Sequence, residues 1–371
     1  MRVICAPDKF KQACTAAQAA AAMARGVRDA SSNAEVIELP LADGGEGTLD
    51  VLKAAFPDAR TARVKDSLGR AVEARFALSP DGRRALVESA QACGLWRLRE
   101  PERNPLKTTT WGVGELIRHA LDAGAAEIVV ALGGSATSDG GAGMAASLGA
   151  RFVDSGGKAL EPVGGELKKC KRVEIGGLDA RIARTTFSAL CDVMTPMLGD
   201  QGATRKFILQ KGGTTQTLAK IEEALESIRA ACAASGIACD ATAPGTGAAG
   251  GLGFGVAAFL GSALRPGAEA VLQLVGFDKL LSGTSLVLTG EGGFDTQTAE
   301  GKLIAALGAA CLKADVPMVV LAGTVDPAVN IPGVTAAFAI AQYGARRQDN
   351  LNATTEALRK HSAQVVRLQA Q

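Results

Sequence analysis

Five apolar runs, each as long as a buried strand, are followed by carboxylates, and four of the five lie beside glycine-rich loops. These carboxylates are Asp8, Asp43, Asp139, Asp192, and Glu291 with Asp295 close behind it. Carboxylate oxygens bind Mg²⁺, and one carboxylate can orient an acceptor hydroxyl or accept its proton. Glycines leave backbone N–H groups open to phosphate oxygens. Together these residues favour a polar, phosphate-handling site, and the chemistry that suits it is phosphoryl transfer.

The loop after Ile128–Leu132 is the best candidate for backbone donors to phosphate. It reads Gly133-Gly134-Ser135-Ala136-Thr137 and continues through Asp139 to Gly141. A tight turn between a strand and a helix is the alternative interpretation. Lys11 and Lys211 lie in loops where an ammonium group could neutralise charge on a transferred group, or simply face solvent.

The elements that must position these groups fall into two kinds. Apolar strands separated by helical segments occupy both ends of the chain, which is typical of a parallel sheet. They are Val3–Ala6, Val36–Leu39, Ser285–Thr289, Pro317–Ala322 and Thr335–Ile340. A strand with period-two alternation from Val72 to Leu78, followed by a Pro-Asp-Gly turn, indicates an antiparallel hairpin in between. We therefore predict one five-stranded parallel sheet built from both chain ends, with the middle of the chain inserted into it.

Composition excludes several classes of protein. A net charge of +2 and 4% aromatic residues give little attraction or stacking surface for nucleic acid. The two histidines are too few for a His-rich metal site, and we interpret Trp96 and Trp111 as packing residues. None of the eight cysteines forms a CxxC pair, so we expect reduced thiols and a cytoplasmic location.

Residues 241–264 contain no charged side chain, and this segment is long enough to span a membrane. Seven of these positions are glycine, so we interpret the segment as a glycine-rich loop that leads into a buried helix, not as a membrane segment. Its Gly245–Gly250 run has the GxGxxG spacing of a dinucleotide site, but residues 239–244 make a poor strand. A dinucleotide-dependent oxidoreductase therefore remains as an alternative.

In order and in spacing, these loops resemble those of the type I glycerate kinase family along nearly the whole chain. The similar segments are residues 6–11, 42–48, 133–141, 191–193, 210–212, 244–251 and 288–292. The resemblance implies transfer of the γ-phosphoryl group of ATP, with Mg²⁺, to D-glycerate, giving 2-phosphoglycerate. It also implies an α/β fold with a flavodoxin- or Rossmann-like parallel-sheet domain (residues 1–58 and 278–371). The resemblance further implies an inserted α/β domain with a mixed sheet (residues 59–277), and an active site in the cleft between the two domains.

The strand-end positions and the resemblance together suggest roles for individual residues. Asp192 orients or deprotonates the acceptor hydroxyl, with Asp43 as its rival, and Lys11 and Lys211 offset phosphate or carboxylate charge. The remaining candidates bind substrate, phosphate or metal. Those for substrate or phosphate are Asp8, Gly133, Gly134, Ser135, Ala136, Thr137, Gly290 and Glu291; those for the metal are Asp43, Glu291 and Asp295.

The chain departs from the family pattern at three positions. Ser138 and Thr195 stand where the family has asparagine, and Gly293 stands where it usually has arginine. The missing arginine leaves open a catalytically inactive protein that binds a sugar acid or nucleotide. The expected partners are small molecules; we expect neither nucleic acid nor a membrane as a partner, and a homodimer is left open.

Overall fold

The computed structural model describes residues 1–10, 13–191, 193–299, 303–340 and 350–369. Its contacts divide the chain into two compact units. The terminal unit consists of Met1–Asp43 and Ala268–Gln371, and the central unit consists of Gly44–Gly267.

Short strands and helices make up both units. The strands are β1 (Arg2–Cys5), β2 (Glu35–Glu38), β3 (Asp58–Lys65), β4 (Ala71–Leu78), β5 (Arg84–Glu88), β6 (Glu127–Leu132), β7 (Arg151–Val153), β8 (Arg172–Glu174), β9 (Thr186–Cys191), β10 (Ala263–Pro266), β11 (Leu286–Thr289), β12 (Gly293–Phe294), β13 (Met318–Ala322), β14 (Thr324–Val325) and β15 (Ala336–Ala339). The helices are α1 (Ala16–Ala30), α2 (Thr48–Val51), α3 (Ala90–Cys93), α4 (Trp111–Asp122), α5 (Ala142–Ser147), α6 (Ala203–Phe207), α7 (Thr215–Ala234), α8 (Ala248–Leu260), α9 (Gly267–Leu274), α10 (Phe277–Leu280), α11 (Thr296–Ala299), α12 (Leu303–Lys313) and α13 (Asn350–Gln369).

The terminal unit is built on a parallel five-stranded sheet in the order β15-β13-β11-β1-β2. Numbered within the unit, this is the 2-1-3-4-5 order of flavodoxin-like folds. The order confirms the predicted parallel sheet made by both chain ends. Strands β1, β11 and β13 are almost entirely buried, as expected for continuous apolar runs in a parallel sheet.

Helix α1 begins with a side-chain cap. Thr15 is its N-cap and forms a capping box with Gln18: the Gln18 N–H donates to the Thr15 hydroxyl, and the Thr15 N–H donates to the Gln18 side chain. Its Gly26 faces the backbone of Arg359 and the side chain of Ser362 on α13, where any larger residue would overlap. Helix α13, which is absent from the elements predicted above, therefore packs closely on α1.

The central unit contains a mixed six-stranded sheet in the order β10-β9-β6-β5-β4-β3. Strands β10, β9, β6 and β5 are parallel, whereas β4 and β3 complete the sheet as antiparallel strands. The mixed sheet confirms the predicted fold of the inserted part. Among the described residues of this unit, one apolar cluster packs against the sheet and another lies beside α7.

The charge-free segment from residue 241 to 264 forms a loop, the buried helix α8 and the start of β10, as predicted. Within the part of the chain that the structure describes, no helix is long and apolar enough to span a membrane. None of the eight cysteines, all of them within the described ranges, is in a disulfide, and seven of them are buried. They pack as small apolar residues in the cores.

Candidate active site

The terminal unit offers a ligand site at the carboxyl ends of β1 and β11. In this strand order, the chain leaves β1 and β11 in opposite directions, which opens a crevice for ligands there. Asp8 follows β1, and its N–H donates to the carbonyl of Gly290, which follows β11, at 2.9 Å. A side chain at Gly290 would overlap with the Leu321 carbonyl and press on the Phe10 ring. Gly290 is thus required where the chain after β11 passes close to the backbone of β13 and to Phe10.

Three carboxylates meet at this edge of the terminal unit. The Asp8 side chain is only 9% exposed, and its Oδ1 accepts the Lys9 N–H at 2.6 Å. Burial raises the pKa of Asp8 to about 7, and the negative charges of Asp43 and Glu291 add to this rise, against the attraction of Lys9. The structure therefore brings together three of the predicted site residues, Asp8, Asp43 and Glu291.

Asp295, the third metal candidate, is hydrogen-bonded to the first turn of α11. Its Oδ1 accepts the N–H of Thr298 at 3.3 Å in the first turn of α11, and its own N–H donates to the Thr298 hydroxyl at 3.1 Å. The same hydroxyl donates to Glu291 Oε1 at 2.7 Å. Asp295 is exposed and Glu291 half-buried, so one threonine links both candidates to the start of α11.

In the central unit, the predicted glycine-rich loop leaves β6, and hydrogen bonds from several other segments hold it in place. The Ala136 N–H donates to the Cys93 carbonyl at 2.8 Å, and the Thr108 hydroxyl donates to the Ala136 carbonyl at 3.1 Å. Lys211 Nζ, buried with only 4% exposure, donates to the Thr137 carbonyl at 2.6 Å. The structure thus places Lys211 beside Gly133–Thr137, two of the candidates named from the sequence.

The second half of this loop is organised by Asp139, which is fully buried. Its Oδ2 accepts the N–H and hydroxyl of Thr110 at 2.7 and 2.9 Å and the N–H of Gly143 at 3.1 Å; its Oδ1 accepts the N–H of Gly141 at 3.2 Å. Burial raises the pKa of Asp139, and these hydrogen bonds oppose the rise. Asp139 therefore occupies the N–H groups at the start of α5, which are not open to a phosphate.

The open donors lie earlier in the loop. Among the described residues, no partner is found for the N–H groups of Ser135, Thr137 and Ser138. The Ser135 hydroxyl is buried and also lacks a hydrogen-bond partner in the described part of the chain. Buried donors without partners are costly, so this segment is suited to an anionic ligand that accepts from them. We call residues 133–138 the anion loop.

The Gly245–Gly251 loop packs against this anion loop, and its backbone angles and close contacts explain why it contains glycines. Ala249, Gly250 and Gly251 have positive φ angles of 52°, 70° and 89°. A side chain at Gly250 would overlap with the Thr137 carbonyl and lie 2.7 Å from Lys211 Nζ. No strand precedes this loop among the described residues 239–244, so the context that a dinucleotide site needs is missing.

Replacing Lys211 by methionine tests this arrangement. The change removes the ammonium group but keeps the stem, and leaves the buried Thr137 carbonyl without that donor. We expect the free energy of unfolding in urea to fall by about 1–3 kcal/mol. Lys206→Met, an exposed lysine on α6, is the matched control and is expected to change it by less than about 0.5 kcal/mol. Equal stability of both variants would contradict the anchoring role.

Two predicted residues, Lys11 and Asp192, lie outside the described residues. Sequence reasoning missed the organising role of Asp139, although a carboxylate two residues before Gly141 is a typical helix-capping signal. It also wrongly interpreted Trp96 as a packing residue: the Trp96 side chain is 53% exposed. Trp111 is half-buried and donates from Nε1 to Glu115 at 2.9 Å.

A flavodoxin-like sheet with an inserted mixed-sheet unit, carboxylates at the strand ends and an anion loop define an α/β protein built to bind a phosphorylated or acidic ligand. The model of the glycerate kinase family matches residues 3–370. The chain belongs to the glycerate kinase family.

Individual relatives support this membership. The chain is 40% identical over 342 residues to a glycerate kinase of Halalkalibacterium halodurans, covering 91% of this chain and 90% of that protein. It is 37% identical over 345 residues to a glycerate 2-kinase of Escherichia coli, covering 92% and 90%. The crystal structure of a Salmonella typhimurium protein assigned as glycerate kinase 2 superposes with a TM-score of 0.85 at 36% identity, covering 100% of this chain and 98% of that one.

Proposed function

We propose that this chain transfers the γ-phosphoryl group of ATP to the 2-hydroxyl of D-glycerate, giving 2-phosphoglycerate and ADP, as a type I glycerate kinase. The observation that carries the proposal is the family match along residues 3–370, together with a relative named glycerate 2-kinase. Carboxylates like those of the terminal unit, and backbone donors like those of the anion loop, are the kinds of group that such a transfer needs.

The chemical step forms a bond between the acceptor oxygen and the γ-phosphorus and breaks the bond between that phosphorus and the β,γ-bridging oxygen. Asp192 orients the acceptor hydroxyl and takes its proton, with Asp43 as the alternative base. Lys11 offsets the charge that develops on the transferred group. The N–H groups of the anion loop bind phosphate or the substrate carboxylate, and Asp8 and Gly290 line the substrate or phosphate site.

Mg²⁺ bound with ATP would neutralise charge on the β- and γ-phosphates. The crowding of Asp8, Asp43 and Glu291, which raises the pKa of Asp8, fits a nearby cation. Within the described ranges, no set of three or more His, Cys, Asp or Glu side chains is arranged to hold a metal by itself. This suits Mg²⁺, which takes one or two carboxylates and completes its shell with phosphate and water. We propose Asp43 and Glu291 as these ligands, with Asp295 as a further candidate.

The wider predictions from the sequence are part of the same proposal. They are the cytoplasmic location, small molecules as the ligands, and functional domains with limits near residues 58 and 278. Limited proteolysis followed by mass spectrometry of the fragments tests the limits. Sedimentation of the purified chain shows whether it forms a homodimer.

A coupled assay of ADP release tests the activity. Purified chain with MgATP is expected to release ADP only when D-glycerate is added. MgATP is also expected to protect the chain against heat, whereas NAD(P) is expected to have no effect, because binding to the folded state raises its stability. Folded protein that binds MgATP but shows no turnover of D-glycerate would overturn the proposed activity and favour an inactive homologue.

Replacing Gly293 by arginine tests whether the chain is an active or an inactive homologue. Its backbone is extended in β12, and a side chain there would approach the Thr324 hydroxyl at 3.2 Å, a contact that rotation of Thr324 can relieve. We expect Gly293→Arg to fold with a free energy of unfolding within about 1 kcal/mol of the wild type, measured in urea. If the wild type is inactive, the same variant is expected to gain turnover. A variant that fails to fold would contradict the geometry described for β12.

A further inference from the structure

Trp96 is exposed, and Arg97 lies over one face of its indole. The guanidinium carbon of Arg97 lies 4.4 Å from the centre of the Trp96 rings, over one face of the indole. Arg97 is itself fixed, because Nε donates to the Gln91 carbonyl and Nη2 donates to the Glu73 carbonyl, both at 2.7 Å. A hydrogen-bonded guanidinium therefore supports one face of the indole, although more than half of Trp96 is exposed to solvent.

The indole lies beside the anion loop. Gly94 pairs with Ser135 in an antiparallel bridge, in which the Leu95 N–H donates to the Gly134 carbonyl at 2.8 Å. The edge of the indole covers Gly94: a side chain at Gly94 would come within 2.5 Å of Trp96 Nε1. Gly94 thus lets the ring lie against the backbone next to Ser135, whose hydroxyl and N–H have no partner among the described residues.

We propose that Trp96 is the stacking surface for the purine of ATP, with the phosphates bound by the N–H groups of Ser135, Thr137 and Ser138. An aromatic face binds a base by stacking, and unpartnered backbone donors bind phosphate oxygens. Gly94 links the two kinds of group in the central unit, because it contacts the indole and pairs with Ser135 at the start of the donor segment. The acceptor acid has no ring to stack, so the pairing of an aromatic surface with anion donors matches the nucleotide and not the acid.

This inference rests on the proposed kinase function, and it assigns the nucleotide subsite to the central unit. It also gives Trp96 a reason for exposure that packing does not supply. The backing guanidinium orders the ring before the nucleotide binds, which reduces the entropy lost on binding.

The chain has only two tryptophans, so replacing Trp111 lets fluorescence report on Trp96 alone. Trp111→Phe leaves Trp96 as the only indole, and MgATP is expected to quench its emission saturably, with a half-maximal effect near the KM for ATP. Magnesium tripolyphosphate, which has no base, is expected to compete with MgATP without quenching. In Trp96→Phe, the emission of Trp111 is expected not to change with MgATP.

Steady-state kinetics provide an independent readout. Trp96→Ala is expected to raise the KM for ATP by about tenfold or more, the loss typical of a single stacked base, while the KM for glycerate stays at the wild-type value. Ile175→Ala, an exposed apolar truncation in the same unit, is the matched control and is expected to leave both constants unchanged.

The outcomes separate this inference from the proposed function. Wild-type turnover of D-glycerate with no MgATP quenching of Trp96 and an unchanged KM for ATP in Trp96→Ala would overturn the stacking surface and leave the kinase intact. If Trp96 instead binds another protein chain, MgATP would likewise not quench its emission, and the KM for ATP would not change in Trp96→Ala. No turnover and no MgATP binding would overturn both.

Discussion

At pH 8, Asp8→Asn is expected to be more stable than the wild type while losing most of its phosphoryl-transfer activity. The pKa of Asp8 is raised to about 7, so folding favours its protonated form. The wild type therefore loses stability as the pH rises from about 4 to about 7. Asparagine does not ionise, so the variant does not bury a charge and its stability does not fall in this way. Above pH 7 the variant is expected to exceed the wild type by roughly 2–4 kcal/mol in free energy of unfolding.

The activity of Asp8→Asn is expected to fall at least about tenfold, because the variant loses the buried carboxylate that we propose binds substrate or phosphate. Unfolding in urea at pH 4, 6 and 8 measures the stability, and the coupled assay measures turnover. The stability gain should be mostly lost at pH 4, because the folded-state carboxyl is then protonated and that pH is close to the ordinary pKa of an aspartate, about 4.

Asp43→Asn is the matched control for the origin of this effect. It removes one of the negative charges that raise the pKa of Asp8, so the advantage of Asp8→Asn should shrink when it is introduced in the Asp43→Asn background. A stability difference that does not vary with pH would show that Asp8 is not protonated in the folded chain near neutrality, contrary to the raised pKa.

Asp139→Asn is expected to damage both stability and activity. Asparagine keeps one acceptor oxygen, but its amide NH₂ would meet an N–H donor of the first turn of α5 or of Thr110. An unpaired buried donor and a lost acceptor are expected to lower the free energy of unfolding by about 2–4 kcal/mol. The displaced anion loop is expected to reduce kcat/KM by about tenfold or more.

Urea unfolding and the coupled assay measure both effects of Asp139→Asn. Thr110→Ser, which keeps the N–H and the hydroxyl that donate to Asp139, is the control and should remain close to the wild type. A fully stable and fully active Asp139→Asn would mean that the anion loop is held by other contacts.

The sheets could be predicted because their signals are local. The apolar runs of β1, β11 and β13 are buried on both faces, and the alternation before the turn at Gly82 marks an antiparallel hairpin. The convergence of Asp8 and Glu291 follows from the same pattern, since the carboxyl ends of adjacent parallel strands lie at one edge of a sheet.

Other features depend on contacts between residues far apart in sequence. Asp139 reaches Thr110 across 29 positions, and Lys211 reaches Thr137 across 74. The sequence could mark Lys211 as a cation in a loop, but only the fold shows that it is buried against a carbonyl. In the same way, the exposure of Trp96 depends on how Gly94 and Arg97 place its ring, which composition does not indicate.

Phosphorus NMR of the reaction products is the sharpest test of phosphoryl transfer to the 2-hydroxyl. Purified chain is incubated with MgATP and D-glycerate, and the new phosphomonoester resonance is recorded without proton decoupling. We expect ADP and a doublet, because the phosphorus of 2-phosphoglycerate couples to the single proton on C2. A triplet from the two protons on C3 would contradict the proposed site of transfer, and unchanged ATP with folded protein would contradict the kinase itself.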